Sequence, residues 1–228
     1  MPEPRRTESR TVPARESVVR VEMAPDSEFH MLIGGPYEQG GEQHRYGHTA
    51  VRIKTPVSDT VFDFGRYGAT TGDFGAEGEG ILRVWSNFGK YIAGENVLGR
   101  TTTAYVYRIF SRHTRPAAAF FEGHIAGGRR REDRELGRSY LRVFQLQQSY
   151  HALGPNCTTI SLDAASAIWP TYEEGSMEYM DPGAVLSFAE RAALKLYGTP
   201  DRLFLPENLQ RFLDDEPPIR VDRKETYP

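Results

Sequence analysis

One cysteine, Cys157, stands in the run GPNCTTISLDAASAIWP. Asn156 is a helix N-cap by residue type, Pro170 ends the run, and Cys157, Ile160, Ala164 and Ile168 recur at three- and four-residue steps. The spacing predicts a helix whose first turn carries the thiol. There the unsatisfied N–H groups and the positive end of the helix dipole lower a cysteine's pKa and offer donors to an oxyanion. That position suits a nucleophile. A lone cysteine is also among the residues most often buried and inert, so the chemistry requires a base within reach.

Six histidines are available: His30, His44, His48, His113, His124 and His151. His48 follows Gly47 and opens GHTAVRI, whose alternation predicts a strand that projects the imidazole to one face. TVFDFGRYG reads as the partner strand across the turn TPVSD. A hairpin pairing Ile53 with Phe62 sets even positions of the first strand against odd positions of the second. Asp63 then shares the face of His48 and is the candidate to orient the ring, given a register shift or strand twist that brings it closer. Tyr150 and Gln148 are candidates for the oxyanion hole, and His151 is a candidate to line the same site.

Other chemistries have weaker signals. His44 and His48 form H-x-x-x-H without the glutamate of a zinc protease, and a single cysteine excludes zinc sites that need two. The glycines around Gly34 and Gly78 form neither a dinucleotide fingerprint nor a P-loop, and Ser139 and Ser149 lack G-x-S-x-G. No metal and no cofactor is expected.

The elements that must position these groups fit one domain. The 228 residues are 39% hydrophobic and 26% charged, enough apolar material for a packed core. Residues 1–26, rich in Pro, Arg, Glu and Ser, read as a flexible arm, with Val18–Met23 able to add an edge strand. Residues 27–214 form the body and 215–228 a polar, extended tail. GGPYEQGGEQHRYG and TTGDFGAEGEG read as loops, ILRVWSNFGKYIAG has no clean period, and Thr101–Ile109 is a β-branched and aromatic strand. TRPAAAFFEGHI predicts a helix with Thr114 near its cap and Pro116 in its first turn, closed by Gly127 and Gly128. GGRRREDRELG mixes both signs of charge and reads as a solvated loop or helix start, not a binding patch. Asp181, Pro182 and Gly198 frame a further helix, and PENLQRFLDD makes a shorter one. The sum is α+β: a small antiparallel sheet carrying His48 and Asp63, packed on the cysteine helix.

Charge and hydropathy narrow the partners. A net charge of −3 offers no general polyanion face, so nucleic acid is not expected. No stretch approaches the ~20 apolar residues of a spanning helix, so no membrane span is expected. The first twenty residues carry five arginines and no apolar run, which predicts cytoplasmic synthesis without a Sec signal.

GHTAVRI, VFDFG and NCTTISLDA together resemble the circularly permuted, NlpC-type branch of the papain-like cysteine hydrolases, in which the histidine strand precedes the cysteine helix. That superfamily includes NlpC-type cell-wall peptidases, lecithin-retinol acyltransferase relatives and PPPDE isopeptidases. The leaderless start and the NCTT helix are similar to type VI secretion effectors of the TseH kind. The resemblance implies a papain-like fold with Cys157 as nucleophile, His48 as base and Asp63 as third member, where relatives often carry His, Asn or Gln. It implies a peptidoglycan stem peptide as substrate, a secretion-apparatus carrier and an immunity protein as partners, and action in a target cell's periplasm. The rival readings are a ubiquitin-like isopeptidase or lipid acyltransferase of the same superfamily, or a non-enzymatic binding or immunity module with an unreactive Cys157.

Overall fold

The computed structural model describes residues 24–39, 42–71, 77–198, 200–215 and 217–228. Most of the arm, with Val18–Met23, lies outside the described residues. From its N-terminal side the chain forms β1 (Ser27–Gly34), β2 (Tyr37–Gln39), β3 (Glu42–His44), β4 (His48–Lys54), β5 (Asp59–Gly65), β6 (Thr70–Thr71), β7 (Glu77–Gly78) and β8 (Ile81–Trp85). Then come α1 (Phe88–Val97), β9 (Thr102–Ile109), α2 (Ser111–Gly127), β10 (Arg129–Arg130), α3 (Glu132–Glu135), β11 (Leu141–Gln145) and β12 (Tyr150–His151). The C-terminal third holds α4 (Cys157–Ile168), α5 (Pro182–Val185), α6 (Phe188–Tyr197), α7 (Pro206–Asp214) and β13 (Arg223–Tyr227).

The fold is α+β, built on an eight-stranded antiparallel sheet ordered β10-β11-β8-β5-β4-β1-β9-β13. Phe29, Met31, Val51, Phe62 and Leu82 on one face join Phe121 of α2, Ile160 and Ala164 of α4 and Leu209 of α7 in the main core. On the other face Leu32, Ala50, Val61 and Trp85 pack with Tyr91 and Ile92 of α1. Central strands covered on both sides read as continuous apolar runs, not as alternation. That is why β1, the strand between β4 and β9, escapes a period-two reading of SEFHMLIG.

Several expectations change. The sheet is larger than predicted, because ILRVW and LRVFQ join it as β8 and β11 and NFGKYIAG continues into α1 under an Asn87 cap. The glycine-rich loop contains the short β2–β3 hairpin. The helix over 181–198 is two: it breaks at Leu186, and Ser187 starts α6 with a capping box to Glu190. The helix predicted from Thr114 begins at Ser111, so Pro116 lies past the first turn. The C-terminal tail is extended as predicted, but it is part of the body: β13 pairs with β9 at the sheet edge. The charged run at 127–137 supplies β10 and α3 and pairs internally, Arg130 with Glu135 and Arg131 with Asp133.

Helix α4 starts where the cap predicts. Asn156 Oδ1 accepts from the N–H groups of Thr158 (2.9 Å) and Thr159 (3.0 Å), and the Asn156 N–H donates to Thr159 Oγ1 (2.9 Å). Its Nδ2 donates to the carbonyls of Ala152 (2.7 Å) and Phe204 (2.9 Å), tying the helix start to two loops. Asn156 is 2% exposed. Asn156→Ala removes a cap and strands two carbonyls, and should cost about 2 to 4 kcal/mol. Urea unfolding checks this; a loss below about 0.5 kcal/mol, the usual scale of a surface change, would show that the cap does not hold the helix start.

Candidate active site

The site begins with the backbone before His48. Gly47 has φ +67, and a Cβ there would sit 2.7 Å from the Gly34 carbonyl oxygen, so glycine alone lets the chain turn beside β1 into β4. The turn sets His48 opposite Gly34, at the first position of its strand.

The β4–β5 ladder pairs Val51 with Phe62 and Ile53 with Thr60. This register is shifted by two residues from the Ile53–Phe62 hairpin, around a turn in which Thr55 Oγ1 accepts from the N–H groups of Val57 and Ser58. A shift of two preserves face parity. Continued, the ladder count puts Asp63 level with Ala50, one step from His48, where the unshifted hairpin would put it level with Arg52. Arg52 instead clamps Asp59 with two bonds of 2.7 Å.

His48 Nε2 donates to Asp63 Oδ1 over 2.7 Å. Three further groups donate to the same carboxylate: the Tyr67 hydroxyl (2.8 Å), Arg83 Nε (2.8 Å) and Trp85 Nε1 (3.4 Å). Arg83 is the cross-strand partner of Asp63 on β8, and its guanidinium lies 3.5 Å over the Tyr67 ring. A side chain at Gly65 would meet that ring at 2.6 Å, so Gly65 makes room for Tyr67. Asp63 has no exposed surface. Burial pushes its carboxyl up, but the charges of Arg83 and His48 and the bonds from His48 and Tyr67 outweigh burial and hold it well below the ordinary carboxylate range.

With Nε2 engaged, Nδ1 is the ring nitrogen left for the cysteine. The Cys157 thiol and the His48 ring adjoin closely enough for each to shift the other's ionisation, and the Thr49 backbone and the Thr158 side chain act on the thiol in the same direction as His48. Next to both catalytic candidates, Thr49 Oγ1 and Thr158 Oγ1 lie 3.3 Å apart and join β4 to α4. Burial disfavours the charged ring, yet Asp63 outweighs it and, with the sulfur, raises His48 to about 10. Burial likewise pushes the thiol up, while the His48 bond and charge pull it down on balance. Both shifts favour the thiolate–imidazolium form of the pair.

Of the other candidates, Tyr150 belongs to the site. Strand β12 pairs it with Gly78, and it lines the pocket together with Cys157, whose charge acts on its hydroxyl. Burial and the thiolate raise its pKa, so it remains a donor at neutral pH. Gln148 is exposed, its carbonyl packs against Gly80, and it is not among the residues lining the pocket. His151 accepts from the Leu153 N–H (3.1 Å) and faces Glu77 across 4.0 Å; it organises its own loop and does not line the pocket. The pocket, about 410 Å³, opens on Cys157, His48 and Tyr150. Residue-type reasoning missed Tyr67, Arg83 and Trp85. The parity argument that found Asp63 would have found Arg83 and Trp85 had ILRVW been read as a strand.

No family model, no curated protein and no solved structure matches the chain. The arrangement is thus described by its own geometry: a thiol at a helix N-terminus, an imidazole on a strand, and a buried carboxylate behind it.

Two outcomes follow from the charges. Iodoacetamide should alkylate Cys157 well below the pH at which a free thiol ionises, and Asp63→Asn should raise the midpoint by about 1 to 3 pH units by removing the anion that keeps His48 charged. An unchanged midpoint would show that Asp63 does not control the pair. Because His48 is raised from 6.5 to about 10, its contribution to folding is full below about pH 6.5 and lost as pH rises through about 10. The stability difference between wild type and His48→Ala, measured by urea unfolding, should shrink across that window; a constant difference would contradict the raised value.

Proposed function

We propose that this chain is a cysteine hydrolase of the circularly permuted papain-like kind, cleaving amide bonds in peptidoglycan stem peptides as a secreted antibacterial effector. The observation that carries the reading is the Cys157–His48–Asp63 line, in which each member is held by a different element and the carboxylate is fully buried. A buried inert thiol needs no imidazole, and an imidazole beside it needs no buried anion.

In the proposed reaction the Cys157 thiolate attacks the amide carbonyl. The developing oxyanion takes hydrogen bonds from the Cys157 N–H, which the Asn156 cap leaves unused, and from the Tyr150 hydroxyl. His48 gives its Nδ1 proton to the leaving amine as the C–N bond breaks, leaving a thioester. His48 then takes a proton from water, whose oxygen attacks the thioester, and the thiolate departs with the product acid formed. Asp63 keeps the ring oriented and favours its charged form without accepting the proton. A pocket of about 410 Å³ is in the range of small-ligand sites, which suits a short peptide better than a docked ubiquitin-like domain.

Purified sacculi incubated with the protein should release peptide fragments visible by mass spectrometry. Cys157→Ala and His48→Ala should each reduce the rate by about 10³-fold or more, and Tyr150→Phe by about 10- to 100-fold, mainly in kcat. The protein should be toxic with a periplasmic leader and harmless in the cytoplasm. Toxicity confined to the cytoplasm, or full activity of Cys157→Ala, would overturn the reading.

A further inference from the structure

Four guanidinium groups line the pocket that opens on Cys157: Arg66, Arg83, Arg100 and Arg138. Two are neutralised within the protein. Arg83 lies on Asp63, and Arg100 pairs with Glu95 at 2.6 Å, both of the latter side chains more than nine-tenths buried. Glu95 is the one carboxylate among the described lining residues, and Arg100 already holds it. Arg66, just past the end of β5, and Arg138, between α3 and β11, are exposed and form no ion pair among the described residues. Cys157 and His48 add no net charge as a pair, whichever of the two holds the shared proton. Among the described residues, the pocket thus keeps two arginines without an ion-pair partner, in a chain whose net charge is −3.

Their placement bears on the chemistry. Arg66, Tyr150 and Cys157 line the same pocket, and the Arg66 charge acts on the ionisation of the Tyr150 hydroxyl. A carboxylate seated on Arg66 would lie within a residue or two of an amide presented to Cys157. The planar guanidinium fork matches a carboxylate with two parallel hydrogen bonds, and a charge-lined mouth is a poor berth for an acyl chain.

We infer that the site selects peptides with free carboxylates flanking the scissile amide, and that Arg66 and Arg138 are the groups that bind them. The inference rests on the reading of Cys157 as an accessible nucleophile and adds to it the charge of what that nucleophile acts on.

Paired alkylation separates the two claims. Iodoacetate and iodoacetamide differ by a carboxylate and attack the same sulfur. At low salt the wild-type ratio of iodoacetate to iodoacetamide rates at Cys157 should exceed that of a free thiol by about tenfold and fall with added salt. Arg66→Gln and Arg138→Gln should each lower the ratio of iodoacetate to iodoacetamide rates by about three- to fivefold, with circular dichroism certifying that each variant is folded. In a second arm, a stem tripeptide with free carboxylates should slow iodoacetamide labelling of the wild type, whereas its carboxamide should not, and the double arginine variant should lose the protection. Labelling by both reagents with a ratio and protection indifferent to either arginine would overturn the anion site and leave the nucleophile standing. No labelling by either reagent would overturn the nucleophile, and this inference with it.

Discussion

The structure depends on one buried anion. A carboxylate without solvent costs several kcal/mol unless charge and hydrogen bonds replace the water it loses. Asp63 finds that replacement in His48, Tyr67, Arg83 and Trp85, which come from β4, the segment after β5, and β8. The requirement links the three strands more tightly than backbone pairing alone. It also gives the two sides of the anion different work: Arg83 and Trp85 hold Oδ2, and His48 and Tyr67 face Oδ1.

That division makes His48 what it is. An imidazole at the start of a covered strand would be neutral on burial alone, as His30 is, whose pKa burial lowers to about 4 despite its bond to Glu28. Arg52 adds to that lowering at His30, whereas His48 meets a fully buried carboxylate. Two histidines two pleats or more apart on neighbouring strands are thus driven in opposite directions by the charges they face. The raised histidine in turn lowers the pKa of the thiol at the N-terminus of α4, where the helix dipole also favours a negative charge.

Position is set separately from charge. The Asn156 cap fixes where α4 begins, and its Nδ2 bonds to Ala152 and Phe204 fix where that beginning sits. The Thr49–Thr158 contact then aligns strand and helix one residue beyond His48 and Cys157. Around this, the pocket adds arginines of two kinds, those committed to internal carboxylates and those left for a ligand.

Local patterns determined a good part of this molecule. The Asn156 cap, the helix to Pro170, the strand opened by Gly47 and His48, and the shared face of His48 and Asp63 all follow from short-range rules of capping and pleat, which act within a few residues. The same rules failed where burial on both faces erased the alternation, as in β1, and where a helix broke at an internal cap, Ser187. Only the tertiary structure decided that β5 pairs with β8, which sets Arg83 on Asp63; that Tyr150 lines the pocket with Cys157 while Gln148 and His151 do not; and that the C-terminal segment completes the sheet as β13. The reason is physical: face parity is a property of one strand, but which strand lies alongside, and therefore which charge meets a buried carboxylate, is settled by the packing of the whole core.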